Sequence, residues 1–157
     1  MDKVNAIKTY IEDIFKISRF AVLATEGEGQ PHASLIAVTP MKGYRKLIFA
    51  TYRNTRKYQN LTHNGKVAVL VEGIDISSSG LKESIVLTAF GQVEDIETEE
   101  KNRVFEAHLE RHPGLLSFMQ SEDCFLVRIK VDTYQVVRGI DDVEWWTIDD
   151  LDAPTII

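Results

Sequence analysis

Apolar residues recur at two periods along this chain, and the switches between them lay out its elements. Val4, Ile7, Ile11, Ile14 and Phe15 fall three and four apart, so residues 2–17 are predicted to form an amphipathic helix with Asp2 as its N-cap. From Arg19 the pattern changes to short β-rich runs. RFAVLAT and PHASLIAV are separated by Glu26-Gly27-Glu28-Gly29, whose glycines suit a tight turn, and together they predict a hairpin. A second turn, Pro40-Met41-Lys42-Gly43, leads to the strand KLIFATY. A short polar helix over about residues 55–63 follows, capped by Thr55 or Asn54 and stopped near Asn64-Gly65.

KVAVLVE is a further strand, and the polar stretch from Gly73 to Glu83, with Ser77-Ser78-Ser79-Gly80, predicts a loop. SIVLTAFGQVEDI resumes the sheet. Thr98 is expected to cap a helix whose first turn holds Glu99 and Glu100, favourable against the helix dipole, and which ends at His112-Pro113-Gly114 because a residue before proline avoids helical geometry. Phe125, Val127, Ile129 and Val131 then alternate with Leu126, Arg128, Lys130 and Asp132, a half-buried strand running towards Val137. About six strands joined mostly by turns argue for a mainly β fold, an antiparallel barrel or sandwich with short helices, rather than a parallel sheet with crossovers.

At 157 residues with 44% apolar content, one domain is expected to bury its own core, with an acidic arm over about residues 139–157. Cys124 is the only cysteine, which excludes an internal disulfide and a multi-cysteine zinc site and suits a reducing compartment, the cytoplasm. The longest apolar runs, such as FAVLA and VAVLV, are far shorter than the ~20 residues a membrane helix needs. The charged N-terminal residues leave no apolar core for a secretory signal, so export is not expected.

Charge changes the picture more than composition does. The chain holds 24 Asp and Glu against 18 Lys and Arg, yet residues 29–71 contain no acid and seven cations: Lys42, Arg45, Lys46, Arg53, Arg56, Lys57 and Lys66. Outside that window 11 basic residues face all 24 acids. Isolated basic residues commonly guard sheet edges or form a solvated face. Seven together, with Thr51, Thr55 and the amides of a helix N-terminus, match the chemistry of a phosphate, because Arg56 grips two oxygens while Lys57 adds a point charge. The net charge of −6 disfavours extended binding to nucleic acid, so a compact phosphate ester fits better.

Familiar catalytic motifs are incomplete. Gly27-Glu28-Gly29 meets His32 where a dinucleotide fingerprint needs glycine, and Gly65-Lys66-Val67 lacks the hydroxyl residue of a P-loop. His108 and His112 sit four apart in EAHLERH, but Leu109 follows the first histidine and the glutamate is displaced, so the zinc-protease pattern is broken. A solvated helix face is expected there and no metal. Cys124 has no base beside it and is expected to be a buried or incidental thiol.

The segments GQPHASLIAV (29–38), LIFAT (47–51), TRK (55–57), THNGKVAVLV (62–71) and LTAFGQVEDI (87–96) resemble, in order and spacing, the FMN-binding split barrel of the pyridoxamine 5'-phosphate oxidase-related proteins, over about residues 15–137. The resemblance implies a six-stranded antiparallel split barrel and a homodimer with FMN in a groove between the subunits. It further implies that Arg56 and Lys57 bind the FMN phosphate beside Thr55 and Thr51. Ser34, Leu35, Ile36 and Ala37 would line the isoalloxazine mainly through backbone groups, and Ala50 would also belong to the cofactor site. It also draws attention to His32 as a flavin neighbour and to Trp145 or Trp146 as a cover from the partner subunit.

The likeness stops short of the oxidases' substrate motifs. Ser34 and Thr39 stand where those enzymes have arginine and lysine, and the chain ends in EWWTIDDLDAPTII without their Arg-Leu-x-Pro signature. What is implied is a cytoplasmic FMN flavoprotein passing electrons or hydride between a reductant and an unidentified small-molecule acceptor, with oxidation of the vitamin phosphate not expected. No residue is singled out as acid or base. Two alternatives come from other classes: a non-catalytic flavin or haem binding or sensing module, and a reductase using the deazaflavin F420.

Overall fold

A computed structural model describes residues 2–76 and 82–152. Helix α1 (Lys3–Ile17) starts as the sequence predicts: the Asn5 amide donates to Asp2 Oδ1 at 2.8 Å, and Ile7, Ile11, Ile14 and Phe15 are buried. Strands β1 (Phe20–Gly27) and β2 (Gln30–Ala37) form the expected hairpin, with Gly27 opposite Gln30. Its two-residue turn puts Glu28 at φ 53° and Gly29 at φ 80°, the paired positive angles that let a tight hairpin follow the twist of its strands.

After Val38 the same chain direction continues as β3 (Thr39–Pro40), which pairs with β4 (Lys46–Tyr52). Helix α2 (Arg56–His63), β5 (Lys66–Ile76), β6 (Lys82–Glu94), α3 (Lys101–Arg111), α4 (Leu116–Gln120) and β7 (Cys124–Arg138) follow, and β8 (Asp142–Thr147) and α5 (Ile148–Asp152) end the described chain. The antiparallel path runs β2, β1, β5, β6, β7, β4, β3. Its two ends are one strand interrupted at Val38, so the sheet curls round and closes. Counting β2 with β3, six strands enclose the core, and β8 is an added ribbon on β7.

Leu23, Val38, Leu47, Phe49, Val69, Val71, Leu87, Ile129 and Tyr134 fill the barrel. In β4, Leu47 and Phe49 face inward while Ile48, on the opposite face, is also fully buried. Helix α3 lies over β3 and β4 on that outer side, and its Val104 and His108 are buried.

Four expectations change. The polar stretch expected as a loop from Gly73 to Glu83 is strand as far as Ile76 and again from Lys82, with Gly73 opposite Ile85. Ladder hydrogen bonds come from the backbone, so polar side chains do not interrupt them; Ser77 to Gly80 lie outside the described residues. Residues 98–100 form a 3-10 turn leading into α3, and the Thr98 side chain caps nothing. Within the stretch expected as an acidic arm, residues 142–152 form β8, laid along β7, and α5, which buries Leu151. The histidine face of α3 is not solvated: His108 is 0% and His112 6% exposed.

Candidate functional site

Past the short β3 pairing, β2 and β4 diverge, and a cavity of about 310 Å³ occupies the gap. Leu35, Ile36 and Ala37 of β2 form one wall and Ala50, Thr51 and Tyr52 of β4 the other; Thr55 and Lys57 sit at one end, and Phe20, His108, Leu115 and Phe118 complete the lining. Beyond its pairing with β1, β2 has no second ladder partner among the described residues, so one edge of its backbone offers N–H and C=O groups to the gap.

The α2 end is built by a local hydroxyl network. Thr55 Oγ1 accepts from the Tyr58 amide at 3.2 Å, capping α2, lies 3.0 Å from Thr51 Oγ1 and donates to the Tyr52 carbonyl at 2.8 Å. Both hydroxyls are thus engaged within the protein, so their first effect is to fix the helix start. Lys57, in the first turn of α2, reaches the cavity wall. A buried contact holds the helix in place: Asn60 Nδ2 donates to Thr25 Oγ1 at 3.0 Å, and Asn60 fills the space beside Gly27 where a Cβ would lie only 2.1 Å from its Oδ1.

Of the nine residues singled out in the sequence, Leu35, Ile36, Ala37, Ala50, Thr51, Thr55 and Lys57 share this cavity. Ser34 does not line it, yet its Oγ is buried without a partner. Arg56 faces two smaller hollows of about 300 and 220 Å³, the first shared with His32 and Asn60. His32 Nδ1 is likewise buried and unpartnered. Neither tryptophan lines the cavity; Trp145 packs on Phe90, with ring centroids 5.4 Å apart, and Trp146 packs against the core.

Phe20, Tyr52, His108, Leu115 and Phe118 were missed by sequence reasoning. The spacing of Leu115, Phe118 and Met119 carries a helical signal for α4, and Phe118 sits against the Tyr52 ring with centroids 4.4 Å apart. For His108 the sequence pattern predicts a solvated helix face. It stands with Nδ1 2.7 Å from Thr39 Oγ1, while Nε2 is buried without a partner. Burial, then the neighbouring His112 and Arg111, push its pKa down to about 4, so the ring is neutral near pH 7. His112 is lowered chiefly by burial as well, and its Nε2 lies 2.9 Å from the Val38 carbonyl. No group of three or more metal-ligating side chains is found among the described residues. Burial raises the Cys124 thiol pKa, which makes it a poor nucleophile. No described helix is long and apolar enough to cross a membrane.

Beside the cavity, the outer face of the sheet is apolar. Val22 stands opposite both Leu35 and Leu70, giving a row across β2, β1 and β5 with exposures of 69%, 38% and 41% for Leu35, Val22 and Leu70. Phe20, 57% exposed, joins that patch to the cavity wall.

Solved structures share the fold. A haem-binding protein from Mycobacterium smegmatis is 21% identical with TM-score 0.76 over 88% of this chain, which spans 56% of that protein's length. A Clostridium acetobutylicum protein of the pyridoxinephosphate oxidase family, related to general stress protein 26 of Bacillus subtilis, is 16% identical with TM-score 0.71, covering 96% of this chain and 99% of its own. An FAD-binding protein from Mesorhizobium loti is 14% identical with TM-score 0.67, covering 83% and 91% respectively. No curated protein matches the sequence. The model of the pyridoxamine 5'-phosphate oxidase family matches residues 7–138, most of the chain, and the protein belongs to that family.

Proposed function

We propose that this protein binds FMN in the cavity between β2 and β4 and serves as an oxidoreductase towards a small-molecule acceptor. The observation that carries this reading is the meeting of seven of the nine expected residues, Lys57 and the α2 cap Thr55 among them, around one cavity, in a chain whose net charge is −6. The residues suit the cofactor. Lys57 and the first α2 amides offer a cationic seat for a phosphate, Arg56 adds charge at the same helix start, and Leu35, Ile36, Ala37 and Ala50 give a flat ring an apolar slot. The buried, unpartnered Ser34 Oγ and the open edge of β2 supply hydrogen-bonding groups close by.

When bound, FMN supplies hydride and electron transfer, which no side chain here performs. The chain's own part is to anchor, orient and limit access. Thr51 and Thr55 hold the start of α2, and thereby Lys57, through their mutual hydrogen bonds. Phe20, Leu115 and Phe118 keep the slot apolar and restrict water. A second copy of the chain docking on the row Leu35, Val22 and Leu70 closes the open side of the slot, because Leu35 belongs both to that row and to the cavity wall. This makes the working unit a homodimer with one flavin per chain at the subunit interface.

The test is the visible spectrum of the purified protein and its response to NADH or NADPH without oxygen. Oxidised-flavin bands that bleach on reduction support the proposal. A colourless protein that takes up no FMN, a Soret band of haem, or deazaflavin fluorescence without flavin bands overturns it.

A further inference from the structure

His108 presents a polar atom that the protein itself leaves unused. Its ring is fully buried and forms part of the cavity wall, Nδ1 is taken by Thr39 Oγ1, and Nε2 has no partner. Orphaned buried nitrogens of this kind are costly, and native proteins retain few of them without a use. Its location is set by two anchors. Thr39 pairs with Ile48 in the β3–β4 ladder, and Thr51 lies three residues further along β4, so His108 stands roughly 10 Å along the strand from the Thr51, Thr55 and Lys57 end at ~3.3 Å per residue. A ligand that seats an anionic group at Lys57 and extends a planar ring through the apolar slot brings its far portion to this histidine.

We propose that His108 is a ligand-contacting residue of the cavity, its Nε2 hydrogen-bonding a polar atom on the ring of the bound molecule, with Thr39 as the positioning residue that fixes the imidazole. This rests on the flavin reading above and sharpens it: the edge of the ring turned to His108 is one that carries nitrogen or oxygen, since an edge of methyl groups leaves Nε2 still unpaired. The imidazole acts as a neutral hydrogen-bonding group. If the Thr39 hydroxyl donates to Nδ1, Nε2–H is a donor towards the ligand; if Nδ1–H donates to Thr39, Nε2 is an acceptor. The tautomer therefore states which ligand atom is read.

The experiment follows the histidine ring nitrogens by ¹⁵N NMR in the full chain at neutral pH, with and without FMN. Resonances are assigned by single substitution of His32, His63 and His112. The His108 Nε2 resonance is expected to move on adding FMN and to stay in place on adding inorganic phosphate. His108→Phe is expected to weaken FMN binding about tenfold while phosphate binding is unchanged. FMN binding with a stationary Nε2 resonance overturns the assignment and leaves the flavin reading intact. Failure of the unsubstituted protein to bind FMN overturns both. The wild-type spectra decide the matter even if His108→Phe does not fold.

Discussion

The hydroxyl oxygen of Thr39 lies 2.7 Å from Nδ1 of His108, a buried link between the point where the barrel's closing strand breaks and the inner face of α3. Two neighbours reinforce it: His112 Nε2 reaches the Val38 carbonyl at 2.9 Å, and Arg111 Nε donates to the same oxygen at 2.8 Å. The strand break that opens the cavity is therefore tied down by one turn of helix.

That link makes stability depend on pH in a defined window. The folded pKa of His108 is about 4, against 6.5 for the free side chain, because burial and the nearby His112 and Arg111 oppose a charge. Between those values the unfolded chain binds more protons, so stability is complete above pH 6.5 and falls as pH drops towards 4, by on the order of 3 kcal/mol. Urea unfolding between pH 7 and 4.5 measures it, and His108→Gln is expected to flatten the slope. Equal slopes for the two proteins would contradict the assignment.

Gly27→Ala is expected to loosen α2. The added methyl meets Asn60 Oδ1 at 2.1 Å and pushes apart the Asn60–Thr25 hydrogen bond that seats the helix. A loss of roughly 2 kcal/mol, or ~4–8 °C in Tm, is expected, together with weaker FMN binding because Lys57 moves with the helix. An unchanged melting curve would show that α2 is held by other contacts.

Leu70→Glu tests the apolar sheet face without touching the cavity lining. A carboxylate within the proposed subunit contact is costly, so sedimentation is expected to shift from dimer to monomer and FMN affinity to fall with it. A variant still dimeric at micromolar concentration would place the subunit contact elsewhere.

Much of this architecture was readable because it depends on local signals. Asp2 and Thr55 cap helices where short polar side chains precede helical stretches, and the β1–β2 hairpin follows from its two-residue turn. Lys57, Thr51 and Thr55 stood out by charge contrast and by neighbouring one another in sequence. His108 did not, because its meaning comes from contacts 69 residues away with Thr39, and a polar residue on a helix otherwise reads as solvated. The extension of β5 and β6 through Gly73 to Ile76 and from Lys82 was hidden for a similar reason: pairing by the backbone overrides polar side-chain composition. The acidic C-terminal stretch folds onto β7 because Leu151 and Trp146 give it an apolar side.

The most direct measurement is calorimetric titration of the apo-protein with FMN and with riboflavin, which differ only in the phosphate, repeated for Arg56→Ala with Lys57→Ala. One FMN per chain is expected, with riboflavin weaker by at least about tenfold and the double variant reduced towards riboflavin-like affinity for FMN, since charge-assisted bonds to phosphate contribute ~1.5–3 kcal/mol each. Equal affinity for the two flavins, or equal FMN affinity in the double variant and the parent, would contradict it.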